Sequence, residues 1–174
     1  MEQKPTSLWK SSLTSGLYLG IVLILLSVIF YVAGLTFETW VSYISYPVFI
    51  AGAVYAQLSY RKSLGGEMSY GQALGVGVMS IIFASVLSSI YAYILYTVID
   101  PSLLDQMRVM TEQKIIEQGV PDEQLDTAMN IAMKFQTPAA IAVMGILGGA
   151  FIGLIISLIT AIFTKKNPSD EVPE

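Results

Sequence analysis

Charge disappears from four stretches of this chain, each long enough to cross a bilayer. They run from about 13 to 35, 41 to 60, 73 to 99 and 138 to 163. A helix needs ~20 apolar residues to cross ~30 Å of hydrocarbon. The last two runs, at roughly 40 Å each, must tilt or protrude. Between the third and fourth runs, residues 100–137 change character. Asp100-Pro101 is a cap-and-proline helix start, Gly119 a stop, and Val120-Pro121-Asp122-Glu123 a restart. Leu125, Ala128, Met129, Ala132 and Met133 then recur at helical spacing and form one apolar face. Thr137-Pro138 repeats the cap-and-proline signal before the fourth run. The pattern predicts an all-α fold. It is a four-helix transmembrane bundle with an extracytoplasmic helical hairpin between spans three and four, residues 1–174 forming one integral membrane domain. Pro47, in the first third of span two, predicts a bend there. The first run is longer than a signal-peptide core and no small-x-small cleavage site follows it, so it reads as a retained span.

Charge sets the orientation. Lys4, Lys10, Arg61, Lys62, Lys165 and Lys166 flank one side of the spans, and Arg108, Lys114 and Lys134 the other. The positive-inside rule then places both termini and the Arg61–Gln72 loop in the cytoplasm, with 36–40 and 100–137 outside. Aromatic residues fit as belts, with Trp9, Tyr60 and Tyr70 at the inner boundary and Trp40, Tyr43, Tyr93 and Tyr96 at the outer. Arg61 and Lys62 are placed to meet anionic headgroups. The net charge of −4 is concentrated in 100–137, which holds seven of the thirteen acidic residues against three basic ones.

Composition narrows the chemistry. The 174 residues are 54% hydrophobic and 13% charged, with no cysteine and no histidine. Disulfides, thiolate metal sites and the commonest general base are therefore unavailable. Glu38, Glu67 and Asp100 lie at or beyond span boundaries, so no span offers the buried carboxylate that ion-coupled transport uses. Gln57 and Gln72 fall near the inner surface, and Tyr18, Tyr55 and Tyr91 are placed to bring hydroxyls into the bundle. Met107, Met110, Met129 and Met133 admit two readings, a thioether site for Cu(I) or a flexible apolar face; the leucines and alanines beside them favour the face. Gly65-Gly66 is a turn lacking P-loop spacing, and Ser69 is placed to cap the next helix.

The sharpest pattern lies in span four, where Gly145, Gly149, Gly153, Ser157 and Ala161 recur every four residues. Small residues on one face let helices approach closely in lipid, where packing drives association. Ser80, Ala84 and Ser88 form a comparable row in span three, with Ser85 and Ser89 beside it, the partner expected from an antiparallel connection. Span one carries Ser12, Gly16 and Gly20. Packing within the bundle is the reading favoured for these rows, ahead of self-association and pore lining.

Several of these features occur together in order. They are Gly16 and Gly20 in the first span, Tyr60-Arg61 followed by Gly65-Gly66-x-Met68-Ser69-Tyr70-Gly71-Gln72-Ala73, then Val98-Ile99-Asp100-Pro101, and a glycine-rich last span closing in Lys165-Lys166. As a set they resemble the bacterial membrane family known as domain of unknown function number 4199, over nearly the whole chain. The resemblance implies a four-span bacterial inner-membrane protein and carries over no activity or site. The function expected is that of a non-enzymatic accessory or interaction protein, the alternative being a small oligomeric transporter or channel. Expected partners are the lipid bilayer and, within it, a second copy of the chain or another membrane protein. No cofactor, metal or nucleic acid is expected.

Overall fold

The computed structural model describes residues 7–166, all helices and turns apart from one isolated β-bridge. Lys4, counted above among the inner-side cations, lies outside the described residues. The helices are α1 (Leu8–Val32), α2 (Thr39–Ser63), α3 (Tyr70–Ile94), α4 (Ser102–Glu117), α5 (Asp122–Phe135) and α6 (Pro138–Thr164). A π-helical turn, Leu95–Ile99, extends α3. Four segments, α1, α2, α3 with its π turn, and α6, are long and apolar enough to cross a membrane.

Local signals set the ends. Ser7 accepts from the Lys10 N–H at the start of α1, and Gly34, at φ +70°, follows its end. Gly119, at φ +75°, follows α4, taking the left-handed conformation that costs other residues strain. The Asp100 carboxylate accepts from the Ser102 N–H, and Thr137 Oγ1 accepts from Ala140 N at 3.2 Å. Pro47 sits inside α2, which continues from Thr39 to Ser63. Ser69 and Gln72 cap α3 reciprocally. Gln72 N donates to Ser69 Oγ (3.3 Å) while Ser69 N donates to Gln72 Oε1 (2.9 Å). Ser69→Ala should therefore cost about 1 kcal/mol, read as a lower unfolding midpoint in detergent. An unchanged midpoint would mean that the neighbouring bridge to Lys166, not the cap, holds this turn.

Contacts divide the chain into two compact units. One takes the chain up to Ser88 and again from Ile146; the other is Ser89–Gly145. The second unit takes the ends of α3 and α6 nearest their connection together with α4 and α5.

In the first unit α3 is the centre. Its apolar window is 44% buried, against 22% for α1. Leu19, Ala53, Ile81, Ala84 and Ile156 form one core cluster, and Tyr60, Met68, Ala73, Val76 and Ala161 a second. Tyr60 belongs to that second cluster and is 5% exposed, so it is a core residue and not part of the aromatic belt expected above. Tyr18 and Tyr55 depart the other way. Each is more than half exposed, with its ring on the outer surface. Trp9, Trp40 and Tyr43 are exposed as belt residues would be.

In the second unit Leu103 is buried, and Met107, Met110, Leu125, Ala128, Met129, Ala132 and Met133 are half-buried. The apolar faces read from the sequence are thus the less exposed faces of α4 and α5. Gln136 Nε2 donates to Thr111 Oγ1 at 2.6 Å, tying the end of α5 to α4.

Candidate functional site

The span-four stripe lies on α6 and meets α3 at close quarters. A Cβ added at Gly153 would come within 2.9 Å of Ile81 Cβ, and one at Gly149 within 2.6 Å of Ser85 Cβ, with Ser85 Oγ nearer still. Ser157 completes the series from the other side, since a Cβ at Gly77 would lie 2.6 Å from Ser157 Oγ. These pairs step four residues forward on α6 and four back on α3, so the two helices run antiparallel. In the second unit, a Cβ at Gly145 would meet Ser89 Oγ at 2.9 Å.

The row of α3 facing this stripe is therefore Gly77, Ile81, Ser85 and Ser89. The row named from the sequence, Ser80, Ala84 and Ser88, is its neighbour. Ser80 and Ala84 lie against α1 instead. A Cβ at Gly16 would come within 2.7 Å of the Ser80 carbonyl oxygen, and one at Gly20 within 3.3 Å of Ala84 Cα. Ser88 is half-buried, with its hydroxyl buried and unpartnered. The cause is α3's central position. Neighbouring four-residue rows on a helix point in different directions, so one serves α6 and the other α1. A sequence shows that both rows are small but not which neighbour each meets.

The hydroxyls of Ser12, Ser85, Ser88 and Ser157 are buried without a hydrogen-bond partner. Two of them face glycine directly, Ser85 opposite Gly149 and Ser157 opposite Gly77. Glycine exposes its Cα hydrogens, and Cα–H···O contacts at helix–helix interfaces are weakly favourable. That geometry accommodates a serine oxygen where an apolar side chain would collide.

At the end of the first unit where α2 and α6 finish, a buried polar network joins three helices. Gln57 is fully buried; its Nε2 donates to the Ala73 carbonyl at 3.2 Å and its Oε1 accepts from Thr164 Oγ1 at 3.0 Å. Arg61, one turn further along α2, donates through Nη1 to the Thr164 carbonyl at 3.1 Å. Tyr70 Oη donates to the Leu158 carbonyl at 3.1 Å. Met68 and Lys166 exchange two backbone hydrogen bonds, of 2.8 and 3.0 Å. The sequence places Gln57 near the inner surface but does not show its role as the hub. The available signal was spacing, since Gln57 and Arg61 share a face of α2, as Thr160 and Thr164 do on α6. The network consists of amides, hydroxyls and one guanidinium. It can position helices and donate hydrogen bonds, and it offers no general base.

Two open depressions lie among the described residues. A groove of about 230 Å³ between α1 and α2 is lined by Ser15, Leu19, Val48 and Gly52 and flanked by Tyr18 and Tyr55. A second, also about 230 Å³, lies in the other unit among Leu104, Asp105, Arg108, Met133 and Gln136. Among the described residues, no group of three or more Asp and Glu side chains is arranged to hold a metal ion.

No curated protein and no solved structure matches this chain. One family model does match, the one described as Protein of unknown function (DUF4199), over residues 14–166. With four membrane-length helices and a match over most of its length, the chain belongs to that family.

Proposed function

We propose that this protein works by association within the bacterial inner membrane, as a non-enzymatic accessory or interaction subunit. The observation that carries this reading is the groove between α1 and α2. Its floor is formed by small and aliphatic residues, Ser15, Leu19 and Gly52 among them. Its flanks are two tyrosines, each more than half exposed. A trough of this shape on the lipid-exposed side of two spans suits the ridge of another protein's transmembrane helix, whose side chains pack better against a groove than against a smooth cylinder. The glycine stripe of α6 supports the same reading indirectly. Its contacts with α3 are made inside the chain, so the groove is the more available surface. The test is affinity purification of the tagged chain from native membranes, alongside Ala51→Trp, which fills the groove from an exposed position, and Leu147→Trp, an exposed control on α6. A membrane protein that co-purifies in fixed ratio should be lost with Ala51→Trp and kept with Leu147→Trp. Equal recovery with both variants would rule the groove out.

The orientation belongs to the proposal as well. Both termini and Gly65-Gly66 are cytoplasmic, and α4 and α5 form a helical hairpin on the outer side. Lysine and arginine placement supports this, six against three. Because the chain lacks cysteine, single cysteines report cleanly. In intact cells an impermeant thiol reagent should label a cysteine replacing Thr127 and spare one replacing Ser63; the reverse pattern would invert the topology.

The second reading, a small oligomeric transporter or channel, draws on the π-helical turn at Leu95–Ile99, since such turns recur at functional sites. Ion or solute flux into vesicles holding only the purified chain would favour it over the first reading.

A further inference from the structure

The hydrogen bonds that close the first unit also gather charge. Arg61 holds the last carbonyl of α6, and the Met68–Lys166 bridge pins the chain that follows. Lys165 and Lys166 are thereby held beside the α2–α3 connection, about a hundred residues away in sequence, and that connection begins just after Lys62 on the last turn of α2. The start of α1 joins the same end. Leu8 packs against the cluster of Tyr60, Met68, Ala73, Val76 and Ala161, and Lys10 follows it by two residues. Lys10, Lys62, Lys165 and Lys166 are exposed, and Arg61 is half-buried with one of its five N–H donors on Thr164. Among the described residues, Glu67 is the one acid in these segments. Trp9, 58% exposed beside Lys10, is the kind of side chain that settles at headgroup depth.

We propose that this end of the protein is a binding site for the headgroup of an anionic phospholipid. Lys62 and Lys165 contact its phosphate, Lys10 adds attraction at the rim, and Arg61 is a positioning residue that holds the ends of α2 and α6 together. Positive-inside charge alone would scatter these cations along the membrane surface. Here, long-range backbone and side-chain bonds bring cations from three helices to one end, so a single headgroup can be met from more than one side. The site is independent of which functional reading above holds, since it requires only that the chain span a bilayer.

The test uses the full chain in vesicles of phosphatidylcholine, with or without phosphatidylglycerol. The readouts are the phosphatidylglycerol retained after detergent extraction, measured by native mass spectrometry, and the thermal unfolding midpoint. Retention by the wild type should fall about fivefold for each lysine removed from the headgroup, in Lys62→Gln, in Lys165→Gln and further in the double variant. The triple Arg108→Gln/Lys114→Gln/Lys134→Gln, which loses more charge elsewhere, should retain the lipid as the wild type does. Each lysine is exposed and each bridge bond is a backbone bond, so the inner variants should fold. Unchanged retention in the double variant, or an equal loss in the outer triple, would overturn the proposal. So would a midpoint raised equally by inorganic phosphate in pure phosphatidylcholine, which would mark a free-phosphate site.

Discussion

Gly149→Leu should destabilise the folded chain by about 3 kcal/mol or more, while Gly148→Leu, one residue away, should stay within about 1 kcal/mol of the wild type. The contrast comes from what each added side chain meets. Nothing lies within 4 Å of a Cβ at Gly148, which opens outward, whereas at Gly149 the new carbon would collide with both Cβ and Oγ of Ser85. A serine hydroxyl can rotate away, but its Cβ cannot, so α3 and α6 must separate. Separation would forfeit the neighbouring Gly153–Ile81 contact and open the core around Ile156. The smaller change Gly149→Ala should be partly rescued by Ser85→Gly, which removes both colliding atoms, giving a coupling above the ~0.5 kcal/mol seen for independent sites. Unfolding in mixed detergent is the measurement. Equal midpoints for Gly149→Leu and Gly148→Leu would mean that this seam does not hold the bundle.

Gln57→Leu should cost about 2 kcal/mol. Leucine approximates the volume of the amide, so the loss is chiefly polar. It includes the hydrogen bond to the Ala73 carbonyl and the acceptor for Thr164. Thr164 keeps an alternative acceptor, because its single Oγ1–H can turn to the Thr160 carbonyl, 3.0 Å away. That keeps the expected cost below that of an orphaned buried group. Thr164→Val should cost less than Gln57→Leu, and the double variant less than their sum, because both remove the same bond. Strict additivity would show that Gln57 and Thr164 do not interact in the bilayer.

The linear parts of the fold were legible because their signals are local. Charge-free runs marked the spans to within a few residues, and Gly34, Gly119, Ser69 and Thr137 marked ends through conformations or caps that belong to a handful of residue types. The half-buried face of α5 followed from helical spacing alone. What stayed hidden depends on partners far apart in the chain. Gln57 and Thr164 are 107 residues apart, and no property of either announces the other. Ser80 and Ser85 look equally suited to a glycine stripe, and the choice between them depends on how the crowded central helix divides its faces between α1 and α6. Tyr18, Tyr55 and Tyr60 are the same residue type in apolar surroundings, yet Tyr60 is in the core and the others face outward. The groove that carries the functional proposal was illegible for the same reason, since it exists only once α1 and α2 are side by side.

The groove between α1 and α2 is proposed to receive another membrane protein. The direct measurement is photocross-linking in living cells, with a photoreactive amino acid in place of Tyr55 and, as a control, in place of Leu147 on the exposed face of α6. Position 55 should give a discrete protein adduct, identifiable by mass spectrometry and abolished by Ala51→Trp, with only lipid adducts from position 147. Lipid adducts alone from both positions would contradict it.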